Sequence, residues 1–144
     1  MRNVLVPVDG SDAAFQAVLY LIDFIGQHGS VEVHVVNVQP KPVEWQTHGM
    51  EKEAIDAHLA TDAHLVLKPV LHALNEAEID CRQHVKLGDV AETVVALANE
   101  LGCDTIVMGT RGLGAIPGLL LGSVTRKVLH LARIPVICVP AQSA

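Results

Sequence analysis

Aromatic side chains are nearly missing from this chain. Two Phe, one Tyr and one Trp make up 3% of its 144 residues. Half of the residues are hydrophobic, so the core must come from Val, Leu, Ile and Ala. The length suffices for one domain with a single core and is too short for two ordinary ones. Cysteine is also scarce. Cys81, Cys103 and Cys138 form no C-x-x-C pair and no zinc spacing. They read as small core residues in a reducing compartment.

Long apolar runs are lacking too. Nothing approaches the roughly 18 to 20 apolar residues that span a bilayer. The opening "MRNVLVPVDGSD" breaks at Pro7 and Asp9, too early for a secretory signal. A soluble, cytoplasmic protein without membrane insertion is expected.

The most informative absence is acidic. The net charge is −6, which argues against a general nucleic-acid binder. Yet no Asp or Glu follows Asp104, while Arg111, Arg126, Lys127 and Arg133 do. Residues 105–144 therefore carry +4 and residues 1–104 carry −10. An anionic ligand near that segment would favour such a division.

Strand and helix signals alternate along the chain. "NVLVPV", "VEVHVVNV", a stretch near 80–86, "DTIVMG" and "IPVICVP" read as strands. Residues 11–29 read as a helix capped by Ser11 or Asp12 and closed by Gly29. A second helical region spans about 50–78, where Pro69 must kink it or begin another helix. "DVAETVVALANELG" is a helix capped by Asp89, and "GSVTRKVLHLAR" is another. The β-α-β-α-β-α-β-α-β order, with continuous apolar strands, predicts a parallel sheet covered on both faces. Ligands of such sheets bind at the carboxyl ends of strands where the order reverses.

Two strand ends carry chemistry. One is "PVDGSD". The other opens "GTRGLGAIPGLLLGS", which holds five of the eleven glycines. Gly109 is followed by two residues and Gly112, then by nine and Gly122-Ser123. Gly122 and Ser123 precede a helix, whose unpaired N–H groups favour phosphate. Glycines allow close backbone approach. Ser123 and Thr125 add hydroxyls, and Arg111, Arg126 and Lys127 add charge. G-x4-G-K-[S/T] is absent, and the spacing misses the dinucleotide pattern by one position. A purely structural strand-to-helix turn is the alternative.

The full spacing, G-x2-G-x9-G-[S/T] after Met108 and before "VT", resembles the nucleotide-binding signature of the universal stress protein family. "NVLVPVDGSDAAFQAV", "VHVVNVQP", "VKLGDVAETVVALANELGCDTIVMGTRGLG" and "LLLGSVTRKVLHLARIPVICVP" extend the resemblance over nearly the whole chain, least over 42–70. It implies one universal stress protein domain over 1–144. It also implies an α/β three-layer sandwich, Rossmann-like, with a five-stranded parallel sheet in order 3-2-1-4-5. It implies ATP as ligand. By position, Pro7 and Asp9 would line the adenine and ribose side, Val38 would offer backbone groups to adenine, and Met108 would pack nearby. Gly109, Gly112, Gly122, Ser123 and Val124 would wrap the ribose and phosphates. Asp9 is the one plausible carboxylate for Mg²⁺ on those phosphates. A homodimer through the last strand, Ile134 to Val139, is implied as well.

The expected function is thus an ATP-binding stress-response or regulatory module, acting as a dimer on an unknown protein partner. A slow ATPase or an adenylate-transferring enzyme is the alternative. Phosphoryl transfer needs a positioned base and metal-holding carboxylates, and no acid lies in or after the loop. His48, His58, His64 and His72, with Asp56 and Asp62, crowd the middle segment. His58 and Asp62 share one helix face, but no third ligand follows at a telling spacing, so they read as solvated residues. Trp45 either covers the nucleotide or packs.

Overall fold

A computed structural model describes residues 1–43, 48–112 and 117–142. The described residues form β1 (Asn3–Pro7), α1 (Asp12–His28), β2 (Glu32–Gln39), α2 (Lys52–Glu76) and β3 (Cys81–Leu87). There follow α3 (Val90–Glu100), β4 (Thr105–Gly109), α4 (Ser123–Leu131) and β5 (Val136–Val139). All strand pairs are parallel, in the order β3-β2-β1-β4-β5. The expected α/β sandwich and its 3-2-1-4-5 order are therefore observed.

The continuous apolar runs have a simple cause. Successive strand side chains point to opposite faces, and both faces are covered. Val4, Val6, Val33, Val35 and Val107 pack with Ala17 and Leu21 of α1 and with Leu67, Val70 and Leu74 of α2. Leu5, Val36, Ile106 and Met108 pack with Val94 and Leu97 of α3 and Val128 of α4. Strand β1 lies at the centre, so its Val4, Leu5 and Val6 are fully buried.

Local signals hold the helices in place. The Ser11 hydroxyl accepts from the Ala14 N–H at 3.2 Å and starts α1. Gly29 ends that helix with φ at +101°, a conformation that glycine adopts without strain. The Asp89 carboxylate accepts from the Glu92 N–H at 3.0 Å and starts α3. Helix α2 is one helix of 25 residues with Pro69 inside it, so no second helix begins there. Proline removes one backbone bond. The buried stripe of Ala63, Leu67, Val70 and Leu74 runs past the break and holds the helix on the sheet.

The strand order reverses between β1 and β4. Their carboxyl ends leave a crevice, and the two loops singled out by the sequence leave from these ends. Of the three thiols, Cys103 is buried, and Cys81 and Cys138 are partly buried.

Candidate functional site

The site is built first by the turn after β1. Asp9 Oδ1 accepts from the Ser11 N–H at 2.9 Å, which ties the carboxylate to its own turn. Gly10 sits at φ +87°, so a side chain there would strain the turn. This turn directs Asp9 towards the glycine loop, where its carboxylate stands against Gly112.

The glycine loop has a tied base. The Gly122 N–H donates to the Thr110 carbonyl at 2.7 Å, and Thr125 Oγ1 donates to the Gly109 carbonyl at 2.9 Å. The excursion between Thr110 and Gly122 thus begins and ends at one point. Gly122 is the N-cap of α4 without a side-chain cap, and the first helical bond runs from the Arg126 N–H to its carbonyl. The N–H groups of the first turn therefore open towards the loop. The Thr125 hydroxyl is buried and its hydrogen is committed to Gly109. That residue clamps the loop instead of presenting a donor.

The glycines differ in what they permit. A Cβ on Gly109 would lie 2.7 Å from the backbone carbon of Ala13 in α1. Gly109 is required by packing as well as by the loop. A Cβ on Gly122 would meet Arg111 Cα at 3.4 Å, an ordinary contact. Gly122 is spared by the fold, and its openness faces the crevice.

These parts enclose a cavity of about 760 Å³. Small-molecule sites fall in the range of roughly 300–1,000 Å³. Pro7, Asp9, Val38, Met108, Gly109, Arg111, Gly112, Gly122, Ser123, Val124 and Thr125 all stand on its wall. Further wall residues carry no motif signal. Asn37, Gln39 and Pro40 come from β2 and its exit, Asp62, Leu65 and Val66 from α2, and Val90 from α3. The charged side chains among the described wall residues are Arg111, Arg126, Asp9 and Asp62.

The basic tail of the chain divides at α4. Arg126 reaches the cavity. Lys127 turns the other way, 3.0 Å from Asp89 and 3.5 Å from Glu92 at the start of α3. Asp89 holds the Lys127 ammonium above its ordinary pKa, and the Glu92 N–H together with Lys127 holds the Asp89 carboxyl below its own. Lys127 is therefore a surface tie between α3 and α4.

His48, His58, His64, His72 and Asp56 are exposed. Among the described residues, no three His, Cys, Asp or Glu side chains converge as a metal site requires. Of that group Asp62 alone lines the cavity. Trp45 lies outside the described residues, as do Leu113 to Ile116 within the loop.

The model of the universal stress protein family matches residues 1–140. The chain belongs to this family. A universal stress protein of Synechocystis is 30% identical over 141 residues, covering 96% of this chain and 85% of its own. The hypothetical protein MJ0577, a solved structure, has the same fold with a TM-score of 0.86 at 24% identity, covering 99% of this chain and 98% of its own. The universal stress protein of Archaeoglobus fulgidus, solved in complex with dAMP, has a TM-score of 0.69 at 23% identity, covering 96% and 98%. An Arabidopsis thaliana universal stress protein family member with AMP bound has a TM-score of 0.74 at 16% identity, covering 99% and 94%. No helix among the described residues is long and apolar enough to cross a membrane.

Proposed function

We propose that this universal stress protein binds ATP in the crevice between β1 and β4 and acts as a nucleotide-responsive regulatory dimer in the cytoplasm. The observation that carries the reading is the convergence of both strand-end loops on one cavity, with α4 opening into it from Gly122. Adenine nucleotides bound by the Archaeoglobus and Arabidopsis proteins support the ligand class.

The phosphates belong at Gly112, Gly122, Ser123 and Val124. There the backbone donors and the positive end of the helix meet, beside the Asp9 carboxylate that stands against Gly112. Arg111 and Arg126 supply compensating charge. Asp9 would hold Mg²⁺ through the phosphates, since this ion takes one or two carboxylates beside them. The base belongs at Val38 and Met108. The Val36 carbonyl accepts from the Val8 N–H, and the Gln39 carbonyl accepts from the Gly88 N–H. Alternate residues of β2 thus bond to β1 and to β3. Val38 faces the β1 side, beyond the point where β1 ends at Pro7. Its N–H and C=O would read the edge of an adenine.

The dimer is proposed through β5, an edge strand paired to β4 alone and partly exposed along its whole length. An unpaired apolar edge favours pairing with a second copy.

Titration calorimetry and a thermal-shift assay with ATP and Mg²⁺ test the first step. Saturation a hundredfold above Kd should stabilise the fold by about 2.7 kcal/mol. No heat and no shift at millimolar ATP would sink the reading. Sedimentation of the protein with and without ATP tests the dimer.

A further inference from the structure

Two side-chain amides at the end of β2 are oriented by each other. Asn37 is buried, and its Nδ2 donates to the Val8 carbonyl at 2.9 Å. A carbonyl accepts only, so the NH₂ end of Asn37 must be the end that faces it. Its Oδ1 then faces the opposite way and accepts from Gln39 Nε2 at 2.6 Å. This second bond fixes Gln39 in turn. Turning either amide over would set two donors or two acceptors against each other. The chain of bonds from Val8 through Asn37 therefore determines which end of Gln39 is which. Its NH₂ belongs to Asn37, which leaves its Oε1 as the end without a bond to Asn37. Asn37, Val38 and Gln39 all line that cavity.

We propose that Gln39, oriented by Asn37, makes the cavity select purines with an amine at C6 over purines with a carbonyl there. The inference rests on the nucleotide reading above and adds the residue that discriminates. A C6 amine carries two N–H donors. Val38 C=O takes one, and Gln39 Oε1 takes the other. A C6 carbonyl would bring oxygen against oxygen at both positions. A site built to accept from a ligand donor disfavours the analogue that lacks it, because its own polar groups then go unpaired. Gln39 cannot adapt by turning its amide over, because Asn37 is itself held by Val8.

The test measures AMP and IMP binding by calorimetry, for the parent and for Gln39→Met. Methionine keeps the length and removes both polar ends. Gln39 is partly exposed at the end of its strand, so the variant should fold, which circular dichroism and the melting temperature verify. The parent should prefer AMP. In the variant, AMP should weaken roughly five- to tenfold, the worth of one hydrogen bond. IMP should bind as before or more tightly, because an opposing oxygen is gone. Opposite responses of the two ligands cannot come from a general disturbance of the pocket. If both weaken together, or neither changes, the assignment to Gln39 is overturned while nucleotide binding stands. If the parent binds neither AMP nor IMP, the nucleotide reading falls and this inference falls with it.

Discussion

The carboxylate of Asp9 occupies the space where a side chain on Gly112 would begin. Two loops that are a hundred residues apart in sequence therefore interlock at this point. Asp9 is also tied to the Ser11 N–H, so it cannot swing aside without loosening its own turn.

Gly112→Ala should expose that relationship. The new methyl group must displace the Asp9 carboxylate, the end of a side chain, so the fold should lose no more than about 1 kcal/mol. The nucleotide site should lose more, because the displaced group would serve the ribose and Mg²⁺. A fall in ATP affinity of at least tenfold, with a melting temperature within a few degrees of the parent, is the expected calorimetric result. An unchanged affinity would remove Asp9 and Gly112 from the site.

The two flanking glycines should separate packing from binding. Gly109→Ala drives a methyl group into the Ala13 backbone and should cost about 1–3 kcal/mol of stability, read from the urea midpoint. Gly122→Val meets only ordinary contacts at its Cβ, so it should unfold near the parent midpoint while losing ATP binding. The reverse pattern, a stable Gly109→Ala and an unfolded Gly122→Val, would mean that the loop base is held differently.

The strand order and the two loops at the site were legible in the sequence, whereas the contrast between Gly109 and Gly122 was not, because it lies in the approach of Ala13. Burial on both faces makes β1, β2 and β4 continuous apolar runs, a pattern carried by the sequence itself. The glycine spacing marks the two ends of the loop that the bond between Gly122 and Thr110 joins. Asn37 and Gln39 left no such trace. Their meaning lies in a bond to Val8, 29 residues from Asn37, and polar residues in a strand carry no pattern of their own. Asp62, Leu65 and Val66 come from the weakly periodic α2 and reach the cavity through tertiary packing alone. Arg126 and Lys127 are neighbours of one charge, and only the direction of the helix sends one to the cavity and the other to Asp89.

Cys103 should be inert in the folded protein. It is buried, its Sγ donates to Asn3 Oδ1 at 3.4 Å, and burial, with Asp104 and Glu32 nearby, pushes the thiol up to about 11. Burial also raises Cys81 and Cys138, with Asp80 adding to the former. At pH 8 roughly one Cys103 in a thousand would be thiolate by its pKa. Mass spectrometry after brief iodoacetamide treatment should find Cys103 unmodified in the native protein and alkylated in urea. Rapid native labelling of Cys103 would show that the end of the sheet by Asn3 opens readily.

Acid should weaken the sheet at β2 and β3 through His84. His34 is buried, and its Nδ1 lies 3.0 Å from His84 Nε2. One proton fits between these nitrogens. Two would set N–H against N–H. On the other side, His34 Nε2 has no hydrogen-bond partner, although Glu32 Oε1 is 3.2 Å away. Burial holds His84 below the ordinary imidazole pKa, followed by the charges of His34, Lys86 and Arg82, while Glu100 opposes them. The sign follows from proton counts. Below the ordinary value of about 6.5 the unfolded chain binds a proton that folded His84 does not, so stability falls as the pH drops through that point to the lower folded pKa. The urea midpoint should therefore be lower at pH 5.5 than at pH 7.5. His84→Gln keeps a donor towards His34 and does not titrate, so the difference between the two midpoints should shrink. An equal acid loss in parent and variant would assign it to other groups.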